Sequence, residues 1–153
     1  MKESMNISAI GEVKREDEKV ILVLKPEFRD AMKGLDMFSH ISVLWWGSRD
    51  HVEEHRKKMT LNPPYAEDVT LGLFATRAEY HPNPICLTAC PIVKLDEEKG
   101  EIQVANIDAD DKTPLVDIKG YYPVFDRVDG ARIPDWGWPM PDAVPETGVE
   151  IWE

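Results

Sequence analysis

Short apolar segments separated by turns are the feature that most limits how this chain can fold. The segments are rich in β-branched and aromatic residues, and they are bounded by charged, glycine or proline residues as strands are. The predicted strands cover residues 5–13, 20–24, 38–47, 69–76, 86–95 and 101–108, with one more short strand beyond residue 108. Helical periodicity is limited to 25–35, with Pro26 at its first turn and Gly34 at its end, and to 48–59.

Strands therefore dominate, and the pattern predicts a mainly β (α+β) domain. We expect a small β-barrel or a strongly curved sheet with one or two short peripheral helices. Composition changes at residue 129, where the last stretch holds four prolines and three tryptophans and is acidic. We predict a barrel domain over 1–128 and a Pro/Trp-rich tail over 129–153, packed on the barrel or on a partner subunit.

Charge and apolar run length limit the partners that the chain can have. The formal net charge is -11, which opposes nucleic-acid binding unless a local basic patch exists. No apolar run approaches the ~18 residues that a membrane span needs, and the start has no apolar leader core. The two cysteines, Cys86 and Cys90, lie four residues apart in one predicted strand, which favours reduced thiols. We therefore expect a cytoplasmic protein with no membrane partner.

The segment "HVEEH" matches the H-x-x-E-H pattern of inverted zinc peptidases. In that pattern His51 and His55 would share a helix face and Glu54 would act as a base. The segment is polar nearly all round, however, and no distant third ligand stands out. We favour a solvated surface helix without metal, and zinc chemistry stays a minor alternative.

A stiff polar loop interrupts the apolar stretch "GLFATRAEYHPNPICLTACPIV", residues 72–93. Pro82 and Pro84 fix their own φ angles and push His81 and Asn83 toward extended geometry. Proline donates no N–H, so the loop cannot lie inside a continuous sheet. Its polar side chains then point either to a binding site or to an ordinary proline-rich connection, in about equal measure.

Three carboxylates, Asp108, Asp110 and Asp111, lie within four residues at the end of the predicted strand 101–108. Such a cluster is common in Asx turns, and its spacing is not that of an EF-hand. As a functional feature it would accept hydrogen bonds from ligand hydroxyls or an amine.

Taken together, "IGEV", "FSH", "GLFATRAEYHPNPICLT" and "IDADDKTPLVDIKGYYP" resemble the TsaA-like family, also called the TrmO or YaeB family. Sequences of that family read approximately F-A-T-R-S-P-x-R-P-N-P-I-G-L-S and then D-x-x-D-G-T-P-V-x-D-I-K-P-Y. The resemblance covers about residues 7–127. It implies a β-barrel methyltransferase that uses S-adenosyl-L-methionine, forms homodimers and binds the cofactor near the subunit interface. The known family reaction methylates the exocyclic amine of threonylcarbamoyladenosine in tRNA.

The same resemblance implies the candidate cofactor-binding residues by position. Arg77 matches the arginine of F-A-T-R, Asn83 lies in P-N-P, and Leu87 matches the leucine that follows. The D-x-x-D element corresponds to Asp108, Ala109, Asp110 and Asp111. His81 is the candidate catalytic base for an acceptor amine, because imidazole titrates in the useful range.

The chain departs from the family pattern at several positions. The family's P-R-Q segment after the first strand is absent, His81 replaces an arginine, and Cys86 and Lys112 replace glycines. Larger bacterial members have a C-terminal domain connected with tRNA, where this chain has its acidic tail. The methyl acceptor is thus expected to be either tRNA or a small molecule. A non-catalytic cofactor-binding or sensory module on the same barrel is the alternative.

Each acceptor class makes its own demand on the chain. A tRNA acceptor needs a local basic patch, for which Arg56, Lys57, Lys58 and Arg77 are available. A small acceptor would suit an apolar lid formed by Trp136, Trp138 and Trp152 of the tail.

Overall fold

Six strands close into one antiparallel barrel in the computed structural model, which describes residues 3–47, 54, 57–136 and 139–150. The strands of the described ranges, those of the barrel and two outside it, are β1 (Gly11–Glu16), β2 (Lys19–Leu24), β3 (His40–Trp46), β4 (Thr60–Leu61), β5 (Leu71–Gly72), β6 (Ile85–Asp96), β7 (Glu101–Val104) and β8 (Pro114–Gly120). The barrel order is β1-β2-β7-β6-β3-β8, and β4 pairs only with β5. The predicted mainly β barrel is confirmed.

Alternation of apolar and polar residues builds the barrel core. In β3 every second residue is buried, including Ile41, Val43 and Trp45, and β2 buries Leu22 and Leu24 in the same way. One face of each strand therefore fills the interior and the other faces outward, as expected for a small closed barrel.

The first hairpin lies further along the chain than the sequence pattern indicated. Strand β1 runs into the charged residues that were predicted as a turn. Lys14 and Glu16 of this strand point outward and form an ion pair at 2.7 Å. The turn is only two residues long. Asp17 and Glu18 have φ values of 50° and 61°, the left-handed geometry of a type I′ hairpin.

The predicted helices differ in type from those observed. Segment 25–35 contains a 3-10 helix at Pro26–Met32, followed by a second one at Leu35–Met37. A stretch this short gains few α-type hydrogen bonds, so the tighter turn competes well. A short α-helix, α1 (Pro123–Asp126), follows β8. Most of 48–59, including His51, Arg56 and His55, lies outside the described residues.

The strand predicted over 69–76 is wrong in extent. Only Leu71–Gly72 pairs as a strand, and a 3-10 turn at Leu73–Ala75 follows directly. The Thr76 hydroxyl donates to the Leu73 carbonyl at 2.8 Å and ends that turn. The strand predicted after residue 108 is found as β8.

Parts of the tail lie against the rest of the chain. The ring of Trp136 is 6.0 Å from that of Tyr65, and Gly148 is buried with its backbone against Asn106. Trp138 and Trp152 lie outside the described residues. Within the described ranges, no helix has the length and apolar character that crossing a membrane requires.

Candidate functional site

The proline-containing loop is pressed against the end of β3. The Gly47 N–H donates to the Pro84 carbonyl at 2.7 Å. A Cβ added at Gly47 would lie 2.7 Å from the Glu79 carbonyl oxygen, so only glycine allows this approach. The loop is thus held to the barrel at two points, which orients the side chains between them.

Arg77 and Leu87, both predicted from the sequence, meet in the structure. The Arg77 guanidinium donates from Nη2 to the Leu87 carbonyl at 3.0 Å and is exposed to solvent. Leu87 pairs across the sheet with Leu44, and Ile85 pairs with Trp46. The four side chains face outward, with Leu87 45% and Ile85 38% exposed. We call this group the outer apolar patch.

Asp108 is fixed from inside the barrel by a residue that the sequence reasoning missed. The Thr88 hydroxyl donates to Asp108 Oδ1, and it accepts a bond from the Trp45 indole at 3.0 Å. The indole can only donate, so the single hydroxyl proton goes to the carboxylate. The bond from Thr88 to Asp108 joins the beginning of β6, which the proline-containing loop precedes, to the segment that follows β7. Both motif segments therefore lie at the same end of the barrel.

The pKa of the Cys86 thiol depends on charged residues from both of these segments. Burial, together with the carboxylates of Glu79 and Asp108, raises the pKa of Cys86 to about 12, and the Arg77 charge acts in the opposite direction. Burial likewise raises the pKa of Cys90 to about 12. Both thiols therefore stay protonated near neutral pH and are poor nucleophiles.

The carboxylate loop, residues 106–111, is held by Arg15. The Arg15 guanidinium donates to the Ala109 carbonyl at 2.9 Å, to the Ile107 carbonyl, and to Asn106 Oδ1 at 3.4 Å. The Arg15 backbone N–H also donates to Asp111 Oδ1 at 2.8 Å. Sequence reasoning missed Arg15, because nothing in the charged hairpin distinguishes it from its neighbours.

Within this loop the four predicted positions have different environments. Ala109 is fully buried, and its carbonyl accepts a hydrogen bond from the Arg15 guanidinium. Asp111 is exposed, and Asp108 and Asp110 are half-buried. The carboxylates of Asp108 and Asp111 thus lie on either side of buried Ala109, whose carbonyl is bound by Arg15.

His81 is oriented by the backbone of its own loop. Its Nε2 lies 3.2 Å from the Thr76 carbonyl oxygen, and its ring centroid is 6.1 Å from that of Phe74. A carbonyl only accepts, so Nε2 carries the proton and Nδ1 of the neutral ring is an acceptor. Among the described contacts, no hydrogen bond joins His81 to Asp108 or Asp111. Asn83 is exposed at the loop tip.

Known proteins share this barrel and these segments. The family model described as "tRNA-methyltransferase O N-terminal domain" (TrmO_N) matches residues 5–127. The chain belongs to the TrmO N-terminal domain family. This confirms the resemblance to the TsaA-like family that the motifs indicated.

Relatives and solved structures agree with this membership. A protein of Pyrococcus abyssi named a probable S-adenosyl-L-methionine-binding protein is 40% identical over 114 residues, which are 74% of this chain and 56% of that protein. A Methanocaldococcus jannaschii protein of the same description is 35% identical over 74% of this chain and 89% of its own length. The crystal structure of TrmO from Pseudomonas aeruginosa superposes with a TM-score of 0.65 at 26% identity, over 85% of this chain and 62% of that one. The chain therefore spans only part of its longer relatives.

Proposed function

We propose that this chain is an S-adenosyl-L-methionine-dependent methyltransferase. The observation that carries the proposal is the meeting of its two motif segments at one end of the barrel, through the Trp45, Thr88 and Asp108 hydrogen bonds. Family membership and the names of the relatives support the same cofactor. Together they favour a site that binds the methyl donor.

The residues offered at this end fit the chemistry of the cofactor. Asp108 and Asp111 suit its ribose hydroxyls or its amine, and the exposed Arg77 guanidinium suits its carboxylate.

The bound cofactor supplies an activated methyl group on a sulfonium. The chain's own tasks are to align the acceptor, exclude water and hold a proton. His81 is proposed to take the acceptor's proton at Nδ1, the ring nitrogen left free by the bond to Thr76. Cys86 is unsuited to that task, because its thiol is protonated and half-buried.

A homodimer is proposed through the outer apolar patch. Leu44, Trp46, Ile85 and Leu87 lie beside Arg77 on the outside of β3 and β6, where a second copy would cover them. Analytical ultracentrifugation tests this point. Leu87→Lys should convert a dimer to a monomer, whereas Val93→Lys, an exposed change further along β6, should not.

Calorimetric titration with S-adenosyl-L-methionine tests the proposed function. Asp111→Asn is the informative variant, because an amide oxygen can still accept the Arg15 N–H while the negative charge is lost. Asp30→Asn, at an exposed position on the 3-10 helix, is the matched control. We expect micromolar binding that weakens about tenfold in Asp111→Asn only. Absence of binding at millimolar concentration would refute the proposal.

Turnover assays then separate the acceptor classes. Methyl transfer from labelled cofactor to tRNA or to a small-molecule pool would identify an enzyme and its acceptor. Tight cofactor binding without transfer to either would favour the binding or sensory module.

A further inference from the structure

A cleft with a basic lining opens beside the carboxylate loop. It lies between the start of β1, the end of β2 and the turn that leads into β8, and its volume is about 420 Å³. Three cationic residues, Lys25, Arg29 and Lys112, line it against one carboxylate, Glu12. In a chain with a formal charge of -11, a local excess of cations stands against the average field.

The Arg29 guanidinium is held in place but sparsely bonded. Its Nη1 donates to the Glu98 carbonyl at 3.0 Å. Its Nε is buried without an acceptor, and Gly100 packs so closely that an added Cβ would lie 2.9 Å from that nitrogen. In the part of the chain that the structure describes, most N–H groups of this side chain lack a protein acceptor. The buried Nε cannot reach a ligand, so the Nη groups are the donors that a guanidinium fixed in this way offers to an incoming anion.

Lys112 occupies a backbone position that glycine would suit better. Its φ is 63°, in the left-handed region, and its N–H donates to the Val13 carbonyl at 2.7 Å. A lysine there costs stability that glycine, the residue of the family pattern, would not. A functional role of the lysine side chain would account for a lysine at this strained backbone position.

No ion pair or side-chain hydrogen bond involves Lys25 or Lys112 within the described ranges. Both side chains are exposed. Two ammonium groups and a guanidinium at one cleft can therefore act together on a single anion.

We propose that this cleft binds a phosphate ester of the methyl acceptor. This inference rests on the proposed function, since Lys112 follows Asp111 directly and would place the phosphate next to the cofactor loop. The phosphate belongs either to a nucleic-acid backbone or to a free nucleotide, which present the same chemistry to lysine and arginine.

Lys112→Gly is the decisive variant because it removes a cation and relieves the backbone strain. The fold should be at least as stable as the wild type, so lost binding cannot be ascribed to unfolding. Lys25→Gln provides a second test at another wall of the cleft. Lys33→Gln, an exposed lysine that does not line the cleft, is the charge-matched control.

The assay follows backbone amide signals in two-dimensional ¹H–¹⁵N correlation spectra while inorganic phosphate, adenosine monophosphate or a short RNA is added. We expect shifts at Lys112 and Arg29, and affinity about tenfold weaker in Lys112→Gly and Lys25→Gln but not in Lys33→Gln. Tighter binding of the mononucleotide than of RNA identifies a free nucleotide. Tighter RNA binding that weakens steeply with salt identifies a nucleic-acid backbone.

Parallel titration with S-adenosyl-L-methionine separates the two proposals. Cofactor binding without phosphate shifts at the cleft overturns this inference and leaves the proposed function standing. Phosphate binding without cofactor binding refutes the proposed function, and with it the assignment of the phosphate to a methyl acceptor. Equal losses in Lys33→Gln and Lys112→Gly would also overturn it, because a general charge effect would then suffice.

Discussion

Replacing Arg15 with methionine tests whether this one side chain organises the carboxylate loop. Methionine keeps an apolar stem of similar length and removes the guanidinium. The variant loses the donors to the carbonyls of Ala109 and Ile107 and to the side chain of Asn106. Its backbone N–H still bonds Asp111.

The expected magnitude follows from these bonds. Hydrogen bonds to a charged group contribute about 1.5–3 kcal/mol each, and water replaces part of that because Arg15 is only half-buried. Two carbonyls lose a donor, so the free energy of unfolding should fall by roughly 2–4 kcal/mol. We also expect binding of S-adenosyl-L-methionine to weaken at least about tenfold, since the loop that carries Asp108 and Asp111 loses its support.

Urea denaturation and calorimetric titration measure the two effects. Lys14→Met is the control, because Lys14 lies next in β1 and forms its ion pair in the described ranges with exposed Glu16, not with the carboxylate loop. Arg15→Lys keeps the charge without the planar fork, and it should behave like Arg15→Met. If Arg15→Met matched Lys14→Met in both stability and cofactor affinity, the organising role would be disproved.

Three further predictions concern the tail, the barrel interior and the thiols. Gly148→Ala should destabilise the fold by about 1–3 kcal/mol more than Gly130→Ala, because both glycines have positive φ but only Gly148 meets Asn106; equal urea midpoints would contradict that contact. Thr88→Val should lower the free energy of unfolding by about 1–3 kcal/mol by leaving a buried indole N–H unpaired, and it should weaken cofactor binding; a calorimetric titration like that of the wild type would exclude Thr88 from the site. Burial raises the pKa of both cysteines from 9.0 to about 12, so only the unfolded chain releases these protons as pH rises above 9. The free energy of unfolding should therefore fall above pH 9, and a variant with both cysteines replaced by serine should lose that part of the pH dependence.

The barrel could be predicted from the sequence because its strands are short, apolar and punctuated. Val20–Leu24 and His40–Trp46 follow local rules, and the structure places both as strands. The turn at Asp17 and Glu18 was predicted too long, over residues 14–19, because the exposed charged residues at the end of β1 resembled part of a turn.

The site was only partly visible in the sequence for a different reason. Arg77 and Asp108 lie in motifs, whereas Arg15 and Thr88 gain their roles from residues far along the chain. Arg15 bonds a carbonyl 94 positions away, and Thr88 bonds a carboxylate 20 positions away. Propensity and periodicity describe near neighbours, so they carry no information on such pairs.

Closure of the barrel places its most distant pairing beside the site. Strand β1 meets β8 in only two register pairs, Gly11 with Leu115 and Glu12 with Pro114, about a hundred residues apart along the chain. Contacts of such long separation form late, because the entropy of closing a long loop is lost before the contact is gained. We therefore expect amide hydrogen exchange to be fastest along this seam among the barrel strands. A nascent chain that ends before β8 would hold five barrel strands and an open edge, and the cleft and carboxylate loop would take shape only when the last strand is added.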